Sequence, residues 1–218
     1  MTRRRPTVSF FVFAATLGLA LAGCSSDEIT DPGSSGPIPP ATPDGLMRDF
    51  ELAYTRMDLA GYTALLHDGF DFKFLDSRRD AVQWSRDLEI SSSGNMFDGN
   101  PGELFDGLIS CSGVDSISIG ELIRVTPWEQ TGPDDPDYPG TEQALYQVSI
   151  VFHVDGGENI FTIGTGQVFY VKAEQVARHD GASVTGYFLH GQRDMRPAKG
   201  IVDLYWGDIK MMFLPGRE

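Results

Sequence analysis

Cysteine is almost absent: the 218 residues contain two, Cys24 and Cys111. A disulfide framework is excluded as the source of stability, and a chain of this length can bury a core without one. Basic residues are scarce as well, 17 Lys and Arg against 31 Asp and Glu, for a formal net charge of −14. Binding to a nucleic-acid backbone needs clustered Lys and Arg to displace counterions, so nucleic acid is excluded as a partner. There are four histidines, His67, His153, His179 and His190. No two stand at zinc-ligand spacing on a helix with carboxylates to complete a set, so no metal is expected. Gly164 and Gly166 of TIGTGQ lie inside a strand pattern with no helix after them to receive phosphate. No nucleotide or other cofactor is expected, and the glycines read as a bulge or sharp bend of a strand. No internal repeat is found. Apolar residues nevertheless make up 41% of the chain, with 14 phenylalanines, which marks a globular body.

The N-terminus reads as a processing segment. Arg3, Arg4 and Arg5 precede an apolar run, Val8 to Ala22, too short for a comfortable membrane span. Leu21-Ala22-Gly23-Cys24 closes the run, and Ser25 and Ser26 follow. This pattern resembles the bacterial lipobox, in which a small residue precedes a cysteine that is lipidated and becomes the mature N-terminus. The resemblance implies a signal peptide over 1–23, lipid on Cys24, and the membrane as a partner outside the cytoplasm. Ser25 in place of an aspartate favours the outer membrane. The alternative is an ordinary secretory signal that happens to contain a cysteine. Buried lipid contributes about 0.8 kcal/mol per CH₂, so one acyl chain attaches marginally and two or three attach durably. Cleavage before Cys24 removes three arginines and takes the net charge to −17, so the body is repelled by anionic headgroups and stands off on a tether. Residues 24–41, Cys24 and then SSDEITDPGSSGPIPPA, have that composition. Cys111 is left unpaired and is expected to pack as a small apolar residue.

The domain is expected over 42–215. Thr42 suits an N-cap, Pro43 the first helical position and Asp44 the helix dipole, with Leu46, Phe50, Ala53, Tyr54 and Met57 at helical spacing. Asp58 caps a second, short helix carrying Leu59, Tyr62, Leu65 and Leu66, which His67-Asp68-Gly69 ends. His67 there suits the terminal carbonyls. Phe70 to Phe74, FDFKF, alternates as a half-buried strand. Ser77 and Asp80 resemble a capping box that opens a third helix with Ala81, Trp84 and Leu88 on one face, stopped by SSSGN at 91–95. Residues 116–128, 144–154, 159–171 and 185–192 then read as strands, joined by turn chemistry that includes the tight Asp155–Glu158 hairpin. PDDPDY, 133–138, reads as a solvated hairpin loop, since its prolines and lack of a glycine turn argue against calcium. His153 is either solvent-exposed or part of a polar lining. Val202 to Phe213 is amphipathic, either a strand or a last helix.

This order is an α+β layout. In FELAYTRMDLAGYTALLHDGFDFKF, an aromatic-bearing helix, an Asp opening a second helix, and Leu-Leu before an aromatic strand resemble the nuclear-transport-factor-2-like, or SnoaL-like, superfamily. That resemblance implies a cone: a curved antiparallel or mixed sheet wrapped around about three N-terminal helices, with the ligand site at its mouth. The superfamily includes polyketide cyclases, ketosteroid isomerases, scytalone dehydratase and non-catalytic modules. Anchored on Asp58, the isomerases' tyrosine donor falls near Phe50 and their catalytic aspartate near Phe74, and phenylalanine can neither donate that hydrogen bond nor take a proton. The expectation is therefore a non-catalytic binding or interaction module, with Phe50, Tyr54, Phe74 and Trp84 lining an apolar pocket for a small hydrophobic ligand or partner segment. The alternative is a cyclase-, isomerase- or dehydratase-type enzyme. Phe188, His190, Gln192 and Asp194 alternate onto one face of the last strand, where His190 and Asp194 could form an acid–base pair acting with Tyr54. A homodimer through the sheet is the third option.

Overall fold

The helical opening forms as its caps dictate. In a computed structural model, Thr42 Oγ1 accepts a 3.0 Å hydrogen bond from the Gly45 amide, and Pro43 and Asp44 fill the first turn of α1 (Pro43–Arg56). Asp58 Oδ1 accepts from the Gly61 amide at 2.9 Å and opens α2 (Leu59–Leu65). The structure describes residues 38–76, 80–178, 181–195 and 204–215. The segment expected to be a signal peptide (1–23), Cys24 and the expected tether as far as residue 37 lie outside the described residues, as do Ser77 and His179. The tether's last residues are part of the domain: the Tyr187 amide donates to the Pro40 carbonyl at 2.9 Å, and Pro39 packs against Gly186.

Strand β1 (Leu66–Leu75) starts at once after α2, so His67-Asp68-Gly69, expected to end the helix, are already strand. Phe70, Phe72 and Phe74 are buried on one face. The expected third helix is wrong in register. Ala81–Ser85 forms β2, antiparallel to β1 with Phe72 opposite Trp84. The helix α3 runs Arg86–Phe97 and contains the Ser91–Asn95 segment read as its stop. Tertiary packing overrides poor helix propensity here. Ser92, Ser93 and Gly94 are buried, the Ser92 hydroxyl donates to the Lys210 carbonyl at 2.6 Å, and a Cβ on Gly94 would stand 3.2 Å from Leu59.

After the short hairpin β3 (Gly102–Leu104) and β4 (Ile109–Cys111), the chain is mainly sheet: β5 (Val114–Arg124), β6 (Glu129–Gln130), β7 (Glu142–Val154), β8 (Asn159–Ala177) and β9 (Ser183–Met195). The main sheet runs β2-β1-β9-β8-β7-β5, with β6 also on β7. Only β1 and β9 are parallel in it, and the curled mixed sheet with its helices is the expected α+β cone. Tyr146, Val148, Ile150, Phe152 and Val154 of β7 face the helices. The β7–β8 register runs unbroken from Glu142 opposite Val171 to Val154 opposite Asn159, so Gly164 and Gly166 make no bulge. The tail forms α4 (Trp206–Met212), every residue of which is buried. Among the described residues no helix is long and apolar enough to cross a membrane.

Candidate functional site

The four side chains expected to line a pocket instead fill the cone. Phe50, Tyr54, Phe74 and Trp84 are buried. Tyr54 stacks on Phe50 at 4.8 Å and meets Tyr62, Phe97 and Trp206 edge-on at 5.0, 5.2 and 5.3 Å. Phe74 packs on Phe72 at 5.0 Å and Trp84 at 5.1 Å. A Cβ on Gly207 would stand 2.3 Å from Phe74, so α4 closes onto these rings.

Two polar networks lie among the rings. In the first, the Lys210 ammonium pairs with Glu89 Oε1, both side chains 1% exposed. It also donates to Ser93 Oγ at 2.8 Å and sits 5.1 and 5.3 Å from the ring centroids of Tyr54 and Tyr62. The Tyr62 hydroxyl donates to Glu89 Oε1 at 2.6 Å. Burial alone would lower the Lys210 pKa, but the Glu89 carboxylate and Tyr54 outweigh it and hold the ammonium above the ordinary lysine value. Burial raises Tyr54 and Tyr62, Tyr62 steeply, with Glu89 adding to both. Neither phenol is available as a base near neutral pH.

In the second network, Asp194 accepts from Gln167 Nε2 at 2.7 Å, Thr165 Oγ1 at 3.3 Å and the Gly207 amide at 3.2 Å. Gln192 Nε2 donates to Gln167 Oε1 at 3.1 Å. Burial pushes Asp194 up to about 6, against the pull of those three donors.

His190 does not join Asp194. The β8–β9 register slips between Tyr170–Gly191 and Val171–Leu189, and β1 slips opposite the same point, between Leu66 and Asp71. The bulge turns His190 away from Gln192 and Asp194, which breaks the alternation expected from the sequence. His190 Nδ1 instead lies 2.9 Å from His67 Nδ1. Since His67 Nδ1 already accepts from the Gly69 amide at 2.9 Å, the shared proton belongs to His190. His67 Nε2 then donates to Glu174 Oε1 at 2.8 Å, so His67 serves a carboxylate and not the end of α2. Burial, then His67 and Lys172, press His190 down to about 4, which keeps its ring neutral near pH 7. Tyr54, His190 and Asp194 therefore sit in three separate networks.

The PDDPDY loop docks where it was expected to be solvated. Asp137 pairs with Lys73 at 2.8 Å and with Arg193. Tyr138 stacks on Tyr170 at 3.9 Å and donates to Asp71 Oδ1 at 2.6 Å. It lies directly over Gly191, where a Cβ would come 2.1 Å from its ring. His153 is half-buried, and Cys111 is buried with its thiol pKa raised by that burial. Among the described residues no cluster of three or more His, Cys, Asp or Glu could hold a metal.

An open apolar site lies outside the cone. A groove of about 370 Å³ is lined by Pro39, Pro40, Leu52, Leu65, Val176 and Phe188, with Asp49, Arg56 and Asp58 also contributing. The sequence reading missed this groove, along with Glu89 and Lys210. The available signals were a charge beside small residues in LEISSSG and a lone lysine inside the apolar run IKMMF.

The chain matches no protein-family model and no curated protein. Among solved structures it is similar to a candidate aromatic ring hydroxylase from Novosphingobium aromaticivorans, at 12% identity over 73% of this chain and 90% of that one, TM-score 0.44. It is also similar to an NTF2-like protein of unknown function in nutrient uptake from Rhodospirillum rubrum, at 12% identity over 70% and 95%, TM-score 0.39. ActVI-ORFA from Streptomyces coelicolor gives 12% identity over 69% and 90%, TM-score 0.39.

Proposed function

We propose that the chain is a bacterial lipoprotein whose cone domain is a non-catalytic binding or interaction module, held outside the cytoplasm, with the outer membrane favoured, by lipid on Cys24. One observation carries the non-catalytic reading: the acid and base of the buried pair inside the cone, Glu89 and Lys210, are each other's partners, under a closed layer of aromatic rings, and the buried Asp194 is taken up by Gln167, Thr165 and the Gly207 amide. A general acid or base must reach a substrate proton, and Glu89 and Lys210 are turned to one another and to the buried Tyr62 and Ser93 hydroxyls. A small hydrophobic ligand or partner segment would take the groove beside α1 and α2, where Leu52 is exposed. Association of two copies through the sheet would use the end bearing the exposed Ile123 and Ile160, because the Tyr138 loop covers the β1–β9 end.

The test uses the full chain produced in a bacterial host fed an alkyne-tagged palmitate. Wild type should label and sediment with membranes, and Cys24→Ala should do neither. Label retained in Cys24→Ala would refute the anchor. Turnover of a steroid enone, polyketide or epoxide that falls on Tyr54→Phe substitution would refute the non-catalytic reading.

A further inference from the structure

The apolar groove beside α1 and α2 carries two charges without a partner among the described residues. Asp49, Leu52, Ala53 and Arg56 line it from α1 at spacings of three and four residues, which puts them on one stripe of the helix. Asp49 and Arg56 stand at the two ends of that stripe, about 10.5 Å apart along the axis. Both are exposed, and neither side chain has a hydrogen-bond or ion-pair partner among the described residues. Asp58, the other acid of the lining, is committed to the N-terminus of α2 through the Gly61 amide. The unanswered charges are therefore one acid and one base, with the exposed Leu52 between them. One wall is a run of apolar chain, Ile38-Pro39-Pro40, held along β9 by the 2.9 Å hydrogen bond from the Tyr187 amide to the Pro40 carbonyl. Its prolines have no N–H to pair with a strand, so an occupant is oriented by its ends and its side chains.

We propose that this groove binds short apolar peptides with free ends, about three residues long, the peptide ammonium at Asp49 and its carboxylate at Arg56. The proposal rests on the reading of the domain as a binding module and names the ligand class of its groove. The span fixes the length: three extended residues reach about 10 Å, the separation of Asp49 and Arg56 along α1. The groove's volume of about 370 Å³ stands at the small end for ligand sites, as a ligand of that length requires. The charges fix the class. A fatty acid would answer Arg56 alone, an amine Asp49 alone and an internal chain segment neither. A peptide with both ends free answers both, its carboxylate suited to two parallel hydrogen bonds from the guanidinium. Its side chains cover Leu52, Leu65 and Phe188.

The test is calorimetric titration of the full chain with trileucine, trileucine amide, N-acetyl-trileucine and N-acetyl-trileucine amide. Exposed charge pairs are individually weak, so blocking either end should weaken binding about threefold, and blocking both about tenfold. Arg56→Gln should weaken trileucine about threefold and leave trileucine amide unchanged. Asp49→Asn should weaken trileucine to the same extent and leave N-acetyl-trileucine unchanged. Ala64→Trp, which fills the groove from an exposed position on α2, should abolish binding of all four. Equal binding of the free and the doubly blocked peptide would overturn the proposal, making the groove a site for an internal segment and leaving the binding-module reading intact. Binding that survives Ala64→Trp would overturn it too, by placing the peptide elsewhere. No binding of any of the four would overturn it together with the reading of this groove as a ligand site.

Discussion

Replacing Lys210 by methionine tests the energetics of the interior most directly. Methionine keeps most of the apolar stem and removes the ammonium, so Glu89 is left as a buried charge without its counter-ion. Breaking a buried pair from one side costs about 3–5 kcal/mol. The Tyr62 and Ser93 donors remain on Glu89 Oε1, and hydrogen bonds to a charged group contribute about 1.5–3 kcal/mol each, which places the loss near the lower bound, about 3 kcal/mol. With a urea slope of about 2 kcal/mol/M, the unfolding midpoint should fall by roughly 1.5 M. Glu89→Gln in the same chain removes the orphaned charge while its amide oxygen still accepts from Tyr62. The double variant should return to within about 1 kcal/mol of wild type, because neutral replacement of a buried pair is often close to neutral. Glu89→Gln alone leaves the Lys210 ammonium as the bare charge and should cost a similar amount, so the coupling read from the double-mutant cycle should be about 5 kcal/mol, two losses of about 3 less about 1 for the double variant. A single-variant loss below about 1 kcal/mol, or a double variant as unstable as the two singles added, would refute the reasoning: the pair would then be solvated or its charges absent.

Gly191→Ala should drive the Tyr138 ring off Tyr170 and Asp71, costing roughly 2 kcal/mol from the lost stacking and hydrogen bond; faster protease cleavage within 131–141 is the readout, and an unchanged loop sinks the idea. Asp194, lifted by burial to about 6, binds its proton more tightly folded than unfolded, so its contribution is complete below about pH 4 and is lost as pH rises through 6, about 3 kcal/mol in all. Urea midpoints between pH 4 and 7 should show that component in wild type and not in Asp194→Asn, and equal slopes would exclude it. His190, pressed down to about 4, acts with the opposite sign: its contribution is present above pH 6.5 and lost as pH falls through 4, so His190→Asn should flatten the acid side of the profile and leave the Asp194 component intact. Thr42→Ala should cost about 1 kcal/mol through the lost N-cap, seen as a lower Tm, and a Tm equal to wild type would deny the cap that role.

The parts of the fold legible in the sequence are those fixed by near neighbours. Thr42 and Asp58 signal their helices because the cap bonds reach only three residues, to Gly45 and Gly61. FDFKF shows its buried face because alternation needs no partner to be recognised. The third helix failed because the same local logic ran in the wrong place: Ser77 and Asp80 resembled a cap, while β2 was already committed to pairing with β1, and Ser92 to Gly94 were small because two other helices press on them. The His190–Asp194 pair failed through one residue of register, which depends on how three strands meet and leaves no trace in the alternation of one.

The Glu89–Lys210 pair spans 121 residues and lies furthest from local rules. Even so, a lysine between Ile209 and Met211 in a run with no other polar outlet was a legible anomaly, since Lys is almost never fully buried unless paired. An anomaly of that kind specifies the sign and geometry of its missing partner before the partner is known. A buried ammonium requires an anion within hydrogen-bond reach, and the acid must lie on an element that the tail can reach with its own apolar face turned inward. Of the two acids on α3, Asp87 is exposed and Glu89 shares the buried side with Ser92 and Ser93, a face too small and too polar to pack unless a charged side chain inserts against it. The cone is closed by that requirement as much as by its rings: without an anion on α3, burying Lys210 would leave a bare charge between Tyr54 and Tyr62, at a cost that docking a seven-residue helix could not offset.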